Sequence, residues 1–192
     1  MKVVAKYDFN GGQSAIESKY SDEYSQIVSV ITSIDSDLFK TKTNHENSTN
    51  GKKLFSFTEI NKAFKKALTN RGWSSYTVNC DYKHGEYLHG YIPAKEAHAK
   101  PFRDMDFVKP GIKLGIDVQF GKNAFMIYSG CAKMTIFSKM GVIDTGIEIV
   151  PVKRFADEMS TRVSYFEQFA WDLHHRGESN IDIPVLILGV DA

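Results

Sequence analysis

The sequence predicts an α/β fold, a mixed central sheet flanked by helices, and three observations carry that prediction. Two amphipathic segments at helical spacing come first. A stretch of strict period two, Ile112 to Phe120, follows in the middle of the chain. Then a helical pattern from Ala156 to Arg176 leads into a continuous apolar run, Ile183 to Val190, of the kind buried between two helix layers. The 192 residues suit a single domain, 1–192, and a hydrophobic fraction of 42% is ample for one core.

In chain order, Val3, Val4 and Ala5 suggest an opening strand, and Gly11-Gly12 a flexible turn. From Asp22 to Phe39, Tyr24, Ile27, Val28, Ile31, Ile34 and Leu38 recur at helical spacing, with Ser21 or Asp22 as N-cap. The polar stretch Lys40 to Lys53 reads as a loop, a solvated connector or a contact to a nucleic-acid backbone through Lys40, Lys42, Lys52 and Lys53. Thr58 is expected to cap a second helix through Asn70, with Ile60, Phe64 and Ala67 or Leu68 on one face and Arg71-Gly72 ending it. Tyr76, Val78, Cys80 and Tyr82 alternate like a strand. His84, His89 and His98 match no zinc spacing and read as ordinary loop histidines. Ala124 to Phe137 and Val142 to Val152 complete a set of three strands with 112–120, before the helix 156–176 and the last strand. The order is helix, three strands, helix, strand.

Charge and cysteines narrow the setting. A net charge of +1, from 24 basic and 23 acidic residues, gives no global basic signature, although a local basic groove can coexist with an acidic far side. Cys80 and Cys131 read as reduced thiols. No apolar run approaches a membrane span, and Met1–Lys6 is too short for a signal peptide before Asp8. A soluble intracellular protein without a membrane partner is expected.

Chemistry concentrates at 106–122. Pro110-Gly111 breaks the run. After it Ile112, Leu114, Ile116, Val118 and Phe120 alternate with Lys113, Gly115, Asp117 and Gln119, so Asp117 and Gln119 leave the strand on one face. A hairpin can return Asp106 to Asp117. Two ionised carboxylates that close repel unless a cation lies between them, and oxygen ligands of this kind suit Mg2+. Spacing alone equally fits a loop-end acid and the solvated face of an edge strand.

Asp106-Phe107-Val108-Lys109, followed by Ile116-Asp117-Val118-Gln119-Phe120-Gly121-Lys122, resembles the active-site segment of the BglII and BstYI group of type II restriction endonucleases, members of the PD-(D/E)XK nuclease superfamily. The resemblance continues through Gly146-Ile147-Glu148-Ile149-Val150-Pro151-Val152-Lys153, Glu158-Met159-Ser160-Thr161, Ser164-Tyr165-Phe166-Glu167 and Pro184–Gly189. Upstream, Ser33-Ile34-Asp35, Thr41-Lys42 and Asn61–Lys65 look like the BstYI branch. Asp117 stands where the group has Glu, and the preceding gap is two residues longer. Asp104 is therefore an alternative first acid, and the Phe-Val-Lys after Asp106 selects Asp106.

The resemblance implies a PD-(D/E)XK core and a homodimeric, Mg2+-dependent endonuclease acting on double-stranded DNA in the cytoplasm of a prokaryotic cell. Asp106 and Asp117, with the main-chain carbonyl of Val118, are the expected metal ligands. Gln119 stands where most of the superfamily has Lys. It cannot give positive charge to the transition state, but it can orient the attacking water. Lys122, Ser160 and Thr161 match positions that touch DNA bases in the group. Asn123 and Arg162 beside them offer an adenine-type pair and a guanidinium. A palindrome around GATC is implied. The competing readings are a DNA-binding protein on this fold that no longer cuts, and a structure-specific repair nuclease.

Overall fold

The computed structural model describes residues 1–43, 51–80, 89–90, 102–121, 126–176 and 183–192, with the side chains at 126–129, 131 and 176 left aside. Its frame is a six-stranded sheet in the order β1-β8-β7-β6-β5-β4. The strands are β1 (Lys2–Phe9), β4 (Ser74–Asn79), β5 (Phe102–Lys109), β6 (Ile112–Val118), β7 (Thr145–Pro151) and β8 (Val185–Asp191), while β2 (Lys42–Thr43) and β3 (Lys53–Leu54) form a separate small ladder. β6, β7 and β8 run parallel, and β1, β5 and β4 pair antiparallel on the flanks, so the sheet is mixed.

Helices cover both faces. On one, α1 (Gly12–Lys19), α2 (Ser21–Ser33) and α3 (Phe57–Thr69) bring Ile16, Ile27, Ile31, Ile60, Phe64 and Leu68 against Leu114, Ile116, Val118, Ile147, Ile149, Leu186 and Leu188. On the other, α4 (Met126–Lys139) and α6 (Phe166–Arg176) bring Met134, Phe137, Phe169 and Leu173 against Met105, Val150, Val185 and Ile187. The central strands β7 and β8 are buried throughout, as parallel strands between two helix layers must be.

Several expectations are corrected. Residues 126–139 are helix, not strand: Gly130, Met134 and Phe137 recur at three- and four-residue spacing and face the sheet. That helix is the crossover that lets β6 and β7 lie parallel, which a short hairpin cannot do. The third strand of the central set is instead β5. The late helix is interrupted: α5 (Lys153–Asp157) stops, and 158–165 form an irregular segment in which Arg162 takes φ +65 before α6 begins. The helix expected over 22–39 ends at Ser33, because Ile34 is extended, and a short 3-10 turn capped by Asp35 covers Ser36–Phe39. Ser56, not Thr58, caps α3, accepting from the Glu59 N–H at 3.3 Å. Gly11-Gly12 is no slack turn, since Gly12 opens α1 against β8. Among the described residues no helix is long and apolar enough to cross a membrane.

Candidate active site

Register and a bulge bring the two acids together. β5 and β6 form a hairpin whose turn residue Gly111 takes φ +78, a conformation glycine adopts without strain. Phe107 pairs with Ile116, and both pack under α1–α3. One step along the antiparallel ladder Asp106 stands level with Asp117, and its carboxylate reaches the Val118 N–H. Against β4 the β5 register slips between the pairs Ser74–Val108 and Tyr76–Met105. Phe107 therefore packs on one face of the sheet and Met105 on the other, with the change of side falling at Asp106. Asp104 lies beyond the slip, paired with Thr77, and lines a pocket of about 330 Å³ with Asn61, Lys65 and Asp106. Of the two candidate first acids, Asp106 is the one beside Asp117.

The site is short of positive charge for its acids. Asp106 Oδ2 accepts the Val118 N–H at 3.0 Å. Burial, and then the neighbouring Asp117 charge, push the Asp106 carboxyl up to about 7 from its ordinary 3.8. Asp117 has no exposed surface. Its Oδ1 accepts from Lys133 Nζ at 2.5 Å, and its Oδ2 accepts from the Gln119 amide. Burial opposes the charge on Lys133, yet Asp117, with Asp106 and Glu148 behind it, holds the ammonium's pKa above its usual value.

A third acid completes the row. The parallel register sets Glu148 of β7 directly beside Asp117 of β6. Glu148 is wholly buried and neither of its oxygens has a partner. Burial, reinforced by Asp117, raises its pKa well above the carboxylate range. α4 can pass over it only because Gly130 lacks a side chain: a Cβ there would lie 2.5 Å from Glu148 Oε1.

Asp106, Asp117, Val118 and Gln119 thus share one end of β6. Two abutting carboxylates need a shared proton or a cation between them, so the donor set fits a divalent ion. Among the described residues no three His, Cys, Asp or Glu side chains are arranged to hold a metal. Asp106 and Asp117 are a two-carboxylate set of the kind that main-chain and solvent oxygens complete around a hard divalent ion.

Lys133 and Glu148 were not assigned from sequence. Glu148 carried a visible signal, a charge within an otherwise apolar strand. Lys133 carried none while 124–137 read as a strand. The proposed base contacts divide. Lys122 and Asn123 lie outside the described residues, as do His84, His98 and most of the polar stretch before Lys53. Ser160 is buried with its Oγ unpartnered, whereas Thr161 and Arg162 are exposed in the irregular segment after α5. β6 and β7 are parallel, so the segments leaving their ends emerge at the same edge of the sheet. Phe120 and Phe155, one on each exit, touch edge to face with centroids 6.1 Å apart. Residues just beyond both exits can therefore face one ligand.

Residues 4–190 match the family described as restriction endonuclease BglII/BglIII. Among solved structures, restriction endonuclease BglII complexed with a DNA 16-mer superposes with a TM-score of 0.70 at 20% identity, covering 98% of this chain and 76% of that one. Free BglII superposes with a TM-score of 0.63 at 18% identity, over 100% of this chain and 80% of its own. Both likenesses are of fold. No curated protein sequence matches the chain.

Proposed function

The chain belongs to the BglII/BglIII restriction endonuclease family and is a type II enzyme of that family; we propose that it uses Mg2+ to hydrolyse both strands of DNA at a short palindrome, with a GATC core, as a homodimer of the BstYI branch. The observation that carries this reading is the meeting of Asp106 and Asp117 at the end of β6, with Gln119 on the same side.

Asp106, Asp117 and the Val118 carbonyl would hold Mg2+, which when bound would supply phosphate polarisation and a more acidic water. The chain's own residues do the rest. Gln119 commits its amide N–H to Asp117, which leaves its carbonyl oxygen to accept a hydrogen bond from the attacking water and hold it in line. Asp106 serves as a ligand once its proton is gone. Lys122, Asn123, Ser160, Thr161 and Arg162 read bases from the shared edge of the sheet. Two copies related by the DNA dyad account for cutting both strands of a palindrome. The candidate interface between the copies is the polar sides of α2 and α3, because their apolar faces are buried on the sheet.

Incubation with plasmid DNA and Mg2+ is the direct test. Discrete fragments support the proposal. Binding without cleavage favours a DNA-binding protein that no longer cuts, and nicking that follows DNA structure favours a repair nuclease. Sedimentation should show a dimer at micromolar concentration, with or without DNA.

Lys122→Ala should narrow the gap between cognate and non-cognate affinity. Loss of a guanine contact costs about 1–3 kcal/mol on the cognate duplex only, whereas loss of a phosphate contact weakens both duplexes alike and lowers the salt slope by about one unit. Binding to both duplexes in Ca2+ at several salt concentrations separates the two roles.

The raised Asp106 predicts a pH dependence. In the folded, metal-free chain this carboxyl keeps its proton up to about 7, while in the unfolded chain it ionises near 3.8. The folded state therefore binds the extra proton between those values, and metal-free stability falls as pH rises through that window. A divalent cation has to displace the proton below pH 7 and meets none above it. The thermal stabilisation given by Ca2+ should thus grow from pH 5.5 to about pH 8 and then level off. A cation effect independent of pH would show that Asp106 is not a ligand.

A further inference from the structure

Asp117 Oδ1 holds the Lys133 ammonium and Oδ2 the Gln119 amide. Each oxygen keeps a further lone pair for a cation, but a cation bound there repels the like-charged ammonium 2.5 Å from Oδ1. Lys133 has little room to retreat into solvent, since its side chain is only 14% exposed. Leaving a buried ammonium unpaired is costly.

One group beside it has unused capacity. Glu148 is wholly buried, offers two oxygens with no partner, and neighbours Asp117 in the parallel register. Its carboxyl lies against α4 at Gly130, in the space a side chain there would fill. Positions 130 and 133 stand on the same face of that helix, about 5–6 Å apart. The flexible stem of a lysine spans that distance without movement of the helix. Ile147, Ile149 and Val150 around Glu148 are buried and apolar, so packing alone gives no reason for an acid there.

We propose that Lys133 exchanges acids, neutralising Asp117 when no divalent cation is bound and moving to Glu148 when one is, with Glu148 releasing its proton to solvent as the ammonium arrives. The proposal rests on the reading of Asp106 and Asp117 as cation ligands. Lys133 is then a positioning residue that lets the acid cluster assemble without metal, and Glu148 is its second partner. The groups facing the ammonium are Asp106, Asp117 and Glu148 from the sheet.

The test is Mn2+ binding to the full chain at pH 8, followed by loss of the free-ion electron paramagnetic resonance signal, for the wild type, Lys133→Met, Glu148→Gln and the double variant. Lys133→Met should bind Mn2+ about tenfold more tightly, because a competing charge is gone. Glu148→Gln should bind several-fold more weakly, because the displaced ammonium has no partner. In the Lys133→Met background Glu148→Gln should change nothing further. Unchanged or weaker binding by Lys133→Met overturns the exchange. So does an equal loss from Glu148→Gln in both backgrounds, which would mean that Glu148 acts on the cation directly. If Lys133→Met does not fold, Glu148→Gln decides alone, and wild-type affinity in it overturns the exchange. A wild-type chain that binds no Mn2+ would overturn the cation site itself, and the exchange with it.

Discussion

Asp117→Ala should lower cleavage by about a thousandfold or more while leaving DNA binding intact or tighter. On the proposed reading the substitution removes a cation ligand from the site where negative charge develops on phosphate, the kind of preorganised electrostatic contribution that costs most when lost. It also removes a negative charge close to the DNA backbone and frees the Lys133 ammonium, which sits 2.5 Å from Asp117 in the intact chain. Both changes favour a polyanion. Single-turnover cleavage in Mg2+ and duplex binding in Ca2+ should therefore move in opposite directions. Near wild-type cleavage by this variant would show that the site is elsewhere. Asp106→Ala should behave alike, and Asp104→Ala, whose carboxyl lies beyond the register slip of β5, should retain activity.

Gly12→Ala should destabilise the fold by about 3 kcal/mol or more, at the upper end of the range for overpacking. The first residue of α1 is pressed onto the backbone of β8. An added Cβ would overlap the Val185 carbonyl and lie 2.6 Å from the Leu186 nitrogen. Backbone in a strand paired on both sides cannot yield as a side chain can. β8 has β1 on one flank and β7 on the other. Urea unfolding of Gly12→Ala should show a lower midpoint with an unchanged slope. Gly11→Ala, with open space around it, should cost only the strain of its φ of +73.

The legible parts of this chain are those where one physical pattern acts alone. Alternation from Ile112 to Val118 survived because one face of β6 packs on α1–α3 without interruption, so the side on which Asp117 leaves the strand could be read directly. The apolar run of β8 was legible for the same reason. α4 was not, and the cause lies in the site itself. A helix that covers a polar cluster must present Gly130 and Lys133 to the sheet beside Met134 and Phe137. Its hydrophobic stripe is thereby diluted, and the remaining apolar residues mimic a strand. The interruption after α5 was hidden differently. Met159 and Val163 are both buried at helix-like spacing, although the chain between them is irregular. The change of side at Asp106 leaves no trace in composition, because a bulge is a matter of backbone pairing.

The place of β8 between β1 and β7 also orders events at the ribosome. β1 is made before β8, yet among the described residues β8 is its only neighbour in the sheet, and Lys2 pairs with Asp191. Until β8 is made, β1 is a strand without a ladder. β7, which carries Glu148 beside the acids, likewise lacks one of its two neighbours. Nascent chains that stop short of Val185 cannot close the sheet around the row of acids. For a nuclease, late closure ties the acidic row to a strand that is made after it.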